Sequence, residues 1–203
     1  EAHRQPAGDA YARARANANA QLATLADGKD IFVGNADTFF ASPASADRLA
    51  ELMEANPDAV ILGGASDFGL RLTKELIEPH KIVWLGRVAE LRRIERVDAE
   101  LVIGAGATIA EAQEALGGID PDIAELLRRF GSKQVRASGT VGGNIANGSP
   151  VGDLPPVLIA LGATHELRKG GHRRTLPLEQ FFLAYKKQDR SSGEFVSSVR
   201  VPL

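Results

Sequence analysis

Two glycine-rich segments hold the residues of this sequence that are best suited to bind a charged ligand. The first, ILGGASDFG, runs from Ile61 to Gly69 and joins a short apolar stretch to a stretch with helical spacing. Backbone amides at the start of a helix are unpaired and favour anions, and glycine lets a phosphate approach the backbone. Ser66 adds a hydroxyl group. A plain strand-to-helix turn that needs glycine at positive φ is the alternative interpretation.

The second segment, SGTVGGNIANGSPVGDLPP, runs from Ser138 to Pro156 and holds five glycines, three prolines and no lysine or arginine. Loops of this length without regular structure are uncommon in compact domains and are often functional. Thr140 and the run Gly142-Gly143-Asn144 offer further amides and a side-chain donor. Asp153 either caps the helix that follows or accepts hydrogen bonds from a sugar or a ring N–H. Two such segments predict a ligand with two ends, such as a diphosphate joined to a flat ring.

A third segment, LVIGAGATIA from Leu101 to Ala110, has the spacing of a dinucleotide-binding glycine motif. Ile109 occupies the place of the last glycine, where a side chain blocks close packing of the helix on the strand. Asp120 and Asp122 lie too near in the sequence to be the ribose-binding acid of such a fold. We therefore interpret this segment as a tight turn.

No group of residues suggests catalysis by a protein side chain or by a resident metal ion. The four histidines, His3, His80, His165 and His172, are isolated from one another and from any nucleophile or metal-ligand pattern. The chain has no cysteine, so it cannot build an iron–sulfur cluster or a thiolate zinc site of its own. If the protein is an enzyme, we expect a cofactor to supply the chemistry.

Composition argues against several other classes of protein. The formal net charge is -2, and the scattered lysines and arginines form no basic stripe for nucleic acid. No apolar run approaches the roughly 18 residues of a membrane span, and no signal peptide is recognisable. We expect a cytoplasmic protein without nucleic-acid or membrane partners.

The elements that must position the first glycine segment form a small subdomain between residues 31 and 90. Ser45 is a helix cap, and apolar runs at Ala59–Leu62 and Ile82–Leu85 alternate with helical spacing. This order predicts a layered unit with neighbouring parallel strands. We expect its second helix to run from Ser66 to Pro79.

The second glycine segment belongs to a larger subdomain between residues 91 and 203. Thr108 and Glu111 form a capping box, and a later helix has an apolar face that ends at Phe130. Strand-like runs around the turn Lys169-Gly170-Gly171 indicate antiparallel pairing. The predicted fold class is α+β, with parallel strands in the first subdomain and a mainly antiparallel sheet with flanking helices in the second.

Three stretches, taken together, resemble the flavin domain of the molybdenum hydroxylases: ILGGASDFGLRLTK, RFGSKQVRASGTVGGNIANGSPVGDLPPVLIALGA and YKKQDRSSGEFVSSVRVP. The resemblance covers about Phe40 to Leu203. Ala65 and Ser66 depart from the family pattern, in which asparagine and threonine are usual at these places. The resemblance implies a two-subdomain flavin fold of the vanillyl-alcohol-oxidase or PCMH type that binds FAD without a covalent link.

The resemblance also implies a role for each site residue. The first segment would wrap the pyrophosphate, the second would contact phosphate and ribityl groups, and Asp153 would contact the flavin half. Phe130 would lie over the isoalloxazine, although a core position also suits it, and Val196 would lie near the other side, where leucine is usual. The implied FAD-binding residues are Ile61, Leu62, Gly63, Gly64, Ala65, Ser66, Asp67, Phe68, Phe130, Thr140, Val141, Gly142, Gly143, Asn144, Asp153 and Val196.

A larger assembly follows from the same resemblance. Residues 1 to about 30 would be the linker from an iron–sulfur domain, and a C-terminal continuation would complete the flavin pocket. Electrons from a molybdopterin-bearing large subunit would pass through two [2Fe–2S] clusters to FAD and then, as a hydride, to NAD+. The likeness favours a xanthine dehydrogenase within the family. The alternatives are a carbon monoxide, aldehyde or aromatic acyl-CoA enzyme, or a scaffold subunit without cofactor.

Overall fold

A computed structural model describes residues 30–185 and 187–203 as a mixed α/β protein with parallel strands in one sheet and antiparallel strands in another. The predicted linker, residues 1 to about 30, lies almost entirely outside the described residues. The strands are β1 (Ile31–Gly34), β2 (Phe39–Ser42), β3 (Val60–Leu62), β4 (Lys81–Trp84), β5 (Ile94–Val97), β6 (Glu100–Gly104), β7 (Thr164–Lys169), β8 (His172–Pro177), β9 (Phe182–Ala184), β10 (Lys187–Gln188) and β11 (Phe195–Pro202). The α-helices are α1 (Ala46–Ala55), α2 (Phe68–Lys74), α3 (Ile109–Gly117), α4 (Pro121–Arg129), α5 (Lys133–Ser138), α6 (Val141–Ala146) and α7 (Leu154–Ala160). Short 3-10 helices span Ala89–Arg92 and Leu178–Phe181.

The first sheet has the strand order β1-β2-β4-β3. Strands β2, β4 and β3 run parallel, and β1 is antiparallel to β2. Helix α1 begins at the Ser45 cap, whose side chain accepts a hydrogen bond from the amide of Arg48. The helix buries Leu49 and Met53 in the core of this sheet, because they recur at helical spacing. The parallel strands predicted from Ala59–Leu62 and Ile82–Leu85 are confirmed.

The second sheet has the strand order β5-β6-β11-β7-β8, and every neighbouring pair is antiparallel. Helix α3 begins with the capping box that Thr108 and Glu111 predict. Because β6 is antiparallel to both of its neighbours, Leu101–Ala110 does not belong to a parallel dinucleotide-binding unit. Gly104 is needed instead for close packing, since a Cβ there would lie 2.2 Å from the carbonyl oxygen of Leu91.

The two sheets are held together by contacts from the second sheet to the core of the first. Phe195, in β11, is 1% exposed and belongs to the hydrophobic core around α1. Arg168 in β7 is buried and forms an ion pair with Asp47 in α1. None of the helices in the described part of the chain is long and apolar enough to cross a membrane.

Two predicted elements differ in the structure. The helix expected from Ser66 to Pro79 spans only Phe68–Lys74, because Leu76 adopts a left-handed conformation with φ 53° that ends it. The stretch from Ser138 to Pro156 is not one long loop, since α6 lies within it and α7 begins at Leu154. Both differences change the surroundings of the candidate site.

Candidate functional site

The first glycine segment runs from the end of β3 into the first turn of α2. No backbone amide from Gly64 to Phe68 donates a hydrogen bond to another described residue. Ala65 lies in the left-handed region with φ 60°, a conformation that non-glycine residues rarely adopt. Ala65, Ser66 and Asp67 are exposed, so these amides can reach a ligand from solvent. The turn is therefore a row of free donors.

The second glycine segment is built differently, because it folds into α6. The Thr140 side chain caps this helix by accepting a hydrogen bond from the amide of Gly143 at 3.0 Å. The amides of Val141 and Gly142 donate to carbonyl groups of Ala107 and Ala105, and the amide of Asn144 donates to the carbonyl of Thr140.

These bonds correct one expectation from the sequence. The amides of Gly142, Gly143 and Asn144, which we expected to be offered to a ligand, are already engaged within the chain. Close packing requires glycine at position 142, since a Cβ there would lie 2.3 Å from the Cβ of Ala105. Val141 is fully buried beneath it. The segment therefore offers side chains and the exposed backbone of Gly143.

The two glycine segments lie against each other, although they come from different sheets. A Cβ on Gly64 would lie 1.5 Å from the carbonyl oxygen of Ser138, and one on Gly63 would lie 2.7 Å from the Thr140 hydroxyl oxygen. The side-chain amide of Asn147 donates a hydrogen bond to the carboxylate of Asp67 at 2.7 Å. The free amides of the first segment and the surface of the second therefore form one continuous site.

Two polar side chains in the second segment have unused hydrogen-bonding capacity. The side-chain oxygen of Asn144 is buried and has no hydrogen-bond partner in the described part of the chain. Such atoms are uncommon in folded proteins and call for an explanation. Asp153 occupies the N-cap position of α7 but makes no capping bond with its side chain, so the capping alternative fails. It is exposed beside Glu125, Leu126 and Arg129 of α4, at an open depression of about 420 Å³.

The remaining predicted site residues lie in the core. Phe130 is 8% exposed and Val196 is 5% exposed, and both belong to the hydrophobic core of the second sheet. Phe130 directly follows α4 as its C-cap residue, while Val196 lies opposite Leu167 in β7. Neither presents a broad open face, which agrees with the core position considered for Phe130. Their contacts with a flavin ring stay predictions.

Sequence reasoning missed two residues that shape this region. Arg136 in α5 donates hydrogen bonds to the carbonyl oxygens of Phe130 at 2.8 Å and Gly131 at 2.9 Å. Asn147 joins the two glycine segments through Asp67. The sequence could have suggested Asn147, because it lies three residues after Asn144 in the same segment. The sequence could not show that its hydrogen-bond partner is Asp67, which lies 80 residues away.

A second concave surface, of about 700 Å³, lies outside the glycine segments. Arg174, Asp189 and Glu194 line it, and Arg174 binds both oxygens of the Glu194 carboxylate at 2.8 Å. Burial raises the pKa of Glu194, but the hydrogen bonds from Arg174 and the Ser191 amide outweigh it, so the pKa lies below its ordinary value. The charges of this cluster are thus satisfied within the protein.

Comparison with known proteins identifies the family. Residues 35–203 match the model of the FAD binding domain in molybdopterin dehydrogenase. The chain is 28% identical to nicotinate hydroxylase of Emericella nidulans over 84% of its length and 14% of that protein. It is 28% identical to xanthine dehydrogenase of the same organism over 83% of its length and 13% of that protein.

A solved structure shows the same fold. Carbon monoxide dehydrogenase from Hydrogenophaga pseudoflava matches with a TM-score of 0.75 and 28% identity, over 84% of this chain and 60% of that chain. The chain thus spans about one seventh of the curated relatives that it matches here. Because the family model covers most of the chain, this protein belongs to the family of FAD-binding domains of the molybdopterin dehydrogenases.

Proposed function

We propose that this chain is the FAD-holding electron-transfer domain of a molybdenum hydroxylase, and that the whole enzyme is a xanthine dehydrogenase that reduces NAD+. The observation that carries the proposal is the meeting of the two glycine segments beside the free amides of Gly64 to Phe68. The likeness to a xanthine dehydrogenase supports this member of the family, and the likenesses to nicotinate hydroxylase and carbon monoxide dehydrogenase support the alternatives.

The residues of the site fit FAD by their chemistry. The free amides of Gly64 to Phe68 would donate to the diphosphate, which is an acceptor without donors. With FAD bound, the unpartnered oxygen of Asn144 would accept a hydrogen bond from a ribityl hydroxyl, and the Asp153 carboxylate would accept one from a ring N–H. The buried Val141 and Gly142 would support this surface, while Phe130 and Val196 would border the isoalloxazine.

When bound, FAD supplies the two-electron redox chemistry. The chain's own residues bind and orient it, and the proposal therefore needs no catalytic acid, base or nucleophile from this domain. Hydrogen bonds from the amides of the first segment also offset the charge of the diphosphate. The four histidines take no part in this scheme.

The proposal extends to the architecture. The two sheets correspond to the two subdomains of a vanillyl-alcohol-oxidase or PCMH-type flavin fold, with the border near residue 90. In the cytoplasmic complex, residues 1 to about 30 link to an iron–sulfur domain and a C-terminal region completes the pocket. A large subunit carries molybdopterin, and two [2Fe–2S] clusters connect the two redox centres.

The direct test is flavin binding by the 203-residue chain. We expect FAD to raise the melting temperature, since a ligand at roughly 100 times its Kd stabilises the native state by about 3 kcal/mol. Riboflavin lacks the diphosphate and should bind much more weakly. Equal binding of riboflavin and FAD by this chain, or an intact complex that carries no FAD, would contradict the proposal.

A single substitution sharpens this test. A Cβ at Gly143 would lie 2.7 Å from the Thr140 hydroxyl oxygen, so Gly143→Leu displaces this side chain as well as occupying the site, and it should block FAD while the melting temperature without FAD reports any effect on the fold. Gly171→Leu is the matched control, because nothing lies within 4 Å of a Cβ there. Unchanged FAD binding in Gly143→Leu would favour the scaffold alternative. Substrate profiling of the intact complex, with xanthine, nicotinate and carbon monoxide, tests the member of the family.

A further inference from the structure

The hydrogen bond between Asp67 and Asn147 is a side-chain link between the two glycine segments. Asn147 Nδ2 donates to Asp67 Oδ2 at 2.7 Å, across 80 residues of sequence. Asp67 is the N-cap residue of α2, and Asn147 is the C-cap residue of α6. Each side chain therefore extends from the end of its own helix to the end of the other.

Asp67 does not behave as an ordinary N-cap aspartate. Such a side chain normally accepts a hydrogen bond from an amide in the first turn of its own helix. Here the carboxylate makes no capping bond and is turned toward Asn147 instead. Because the carboxylate is held there, it leaves the amides of the first segment open to another acceptor.

The bond has little to contribute to the fold itself. Asp67 and Asn147 are both exposed, and hydrogen bonds between exposed groups compete with water. The backbone already holds Asn147 at the end of α6, since its amide donates to the carbonyl of Gly143 at 3.0 Å. Removing the Asn147 side chain should therefore affect the site more than the stability of the protein.

We propose that Asn147 is a positioning residue of the flavin site. Its side-chain amide fixes the first glycine segment against the second and keeps the Asp67 carboxylate away from the diphosphate that the free amides bind. The inference rests on the proposed function, and it adds a residue that the sequence did not assign to the site. A neutral donor suits this place, because it orients the carboxylate without competing for the phosphate oxygens.

The test measures FAD binding by the 203-residue chain with three variants. We expect Asn147→Ala to weaken FAD binding roughly tenfold, because it removes a hydrogen bond to a charged group. Asn147→Asp should weaken it further, since two carboxylates would then face each other. The double variant Asp67→Asn/Asn147→Asp restores an amide–carboxylate pair and should recover most of the affinity. The melting temperature without FAD should change little in all three.

Asn56→Ala is the matched control. Asn56 is also a helix C-cap residue whose side-chain amide donates a hydrogen bond, but to the carbonyl of Leu52 in its own helix at 3.1 Å. This variant should bind FAD as the unchanged chain does. If Asn147→Ala binds FAD normally, or if the double variant stays as weak as Asn147→Asp, the positioning role is wrong while the proposed function stands. If neither the unchanged chain nor the intact complex binds FAD, both fail.

Discussion

Gly64 and Ser138 are in such close contact that no side chain fits between them. A Cβ on Gly64 would lie 1.5 Å from the carbonyl oxygen of Ser138. This oxygen belongs to the backbone, so it cannot avoid the clash by a rotamer change. The contact joins the end of β3 to the end of α5. Glycine at position 64 therefore sets how closely the two halves of the site approach.

Gly64→Ala should destabilise the protein by about 2 kcal/mol, since a methyl group forces the two segments apart. Gly69→Ala is the control, because nothing lies within 4 Å of a Cβ at that position. Urea unfolding of both variants measures the difference. A Gly64→Ala protein as stable as Gly69→Ala would show that the contact is not as tight as described.

Replacing Ala65 by asparagine should stabilise the protein. It adopts φ 60°, where asparagine is tolerated better than alanine. We expect Ala65→Asn to raise the free energy of unfolding by roughly 0.5–1 kcal/mol, as measured by urea unfolding. Ala137→Asn, at an exposed helical position without positive φ, should instead lower it slightly.

Arg136 should stabilise the turn at Phe130 through its guanidinium group. It donates to the carbonyl oxygens of Phe130 and Gly131, which follow the end of α4. Arg136→Ala should cost about 1–2 kcal/mol in thermal or urea unfolding, because it leaves these groups without their donor. Arg128→Ala removes only an exposed ion pair with Glu125, and a similar loss there would argue against the interpretation.

Glu194 should be sensitive to loss of its charge. It is 6% exposed and accepts hydrogen bonds from Arg174 and from the Ser191 amide. We expect Glu194→Gln to lower the free energy of unfolding by about 2 kcal/mol, because it removes the charge that pairs with Arg174. The loss should not be larger, because Arg174 keeps its contact with water and its ion pair with Asp189. Glu125→Gln, at an exposed pair, serves as the comparison, and equal effects of the two changes would contradict the prediction.

The free energy of unfolding should decrease as the pH is lowered, because of His165. Its ring is fully buried and lies edge-on to Phe181, and burial lowers its pKa from 6.5 to about 4. The unfolded chain therefore takes up a proton first, and stability present above pH 6.5 is lost as the pH falls toward 4. The loss should reach about 3 kcal/mol.

His165→Leu should flatten that pH dependence. Leucine fills the buried position without a titratable group, so the free energy of unfolding should change much less between pH 6.5 and 4. Urea unfolding across this range makes the comparison. Identical pH profiles for the variant and the unchanged chain would exclude His165 as the source.

Features set by neighbouring residues could be read from the sequence. The Ser45 cap and the Thr108–Glu111 capping box act within one helical turn, and both were predicted correctly. The parallel strands of the first sheet followed from apolar runs that alternate with helices. The family motifs located the site, because its glycine segments are contiguous in the chain.

Features set by packing could not be read in the same way. Helix α6 contains Gly142-Gly143, which disfavour helix, yet it forms because Gly142 fits tightly on Ala105 and Thr140 caps it. The early end of α2 depends on one residue, Leu76, in a left-handed conformation that leucine seldom adopts. The partner of Asn147 was also hidden, since only the fold brings Asp67 to it.

The central place of β11 determines when the protein can fold as it leaves the ribosome. This strand, Phe195–Pro202, comes after both of its partners in the sequence and pairs with β6 and β7. Each of these strands also belongs to a hairpin, with β5 and with β8. Until β11 emerges, the nascent polypeptide holds two separate hairpins with unpaired inner edges, exposed to aggregation or to chaperones.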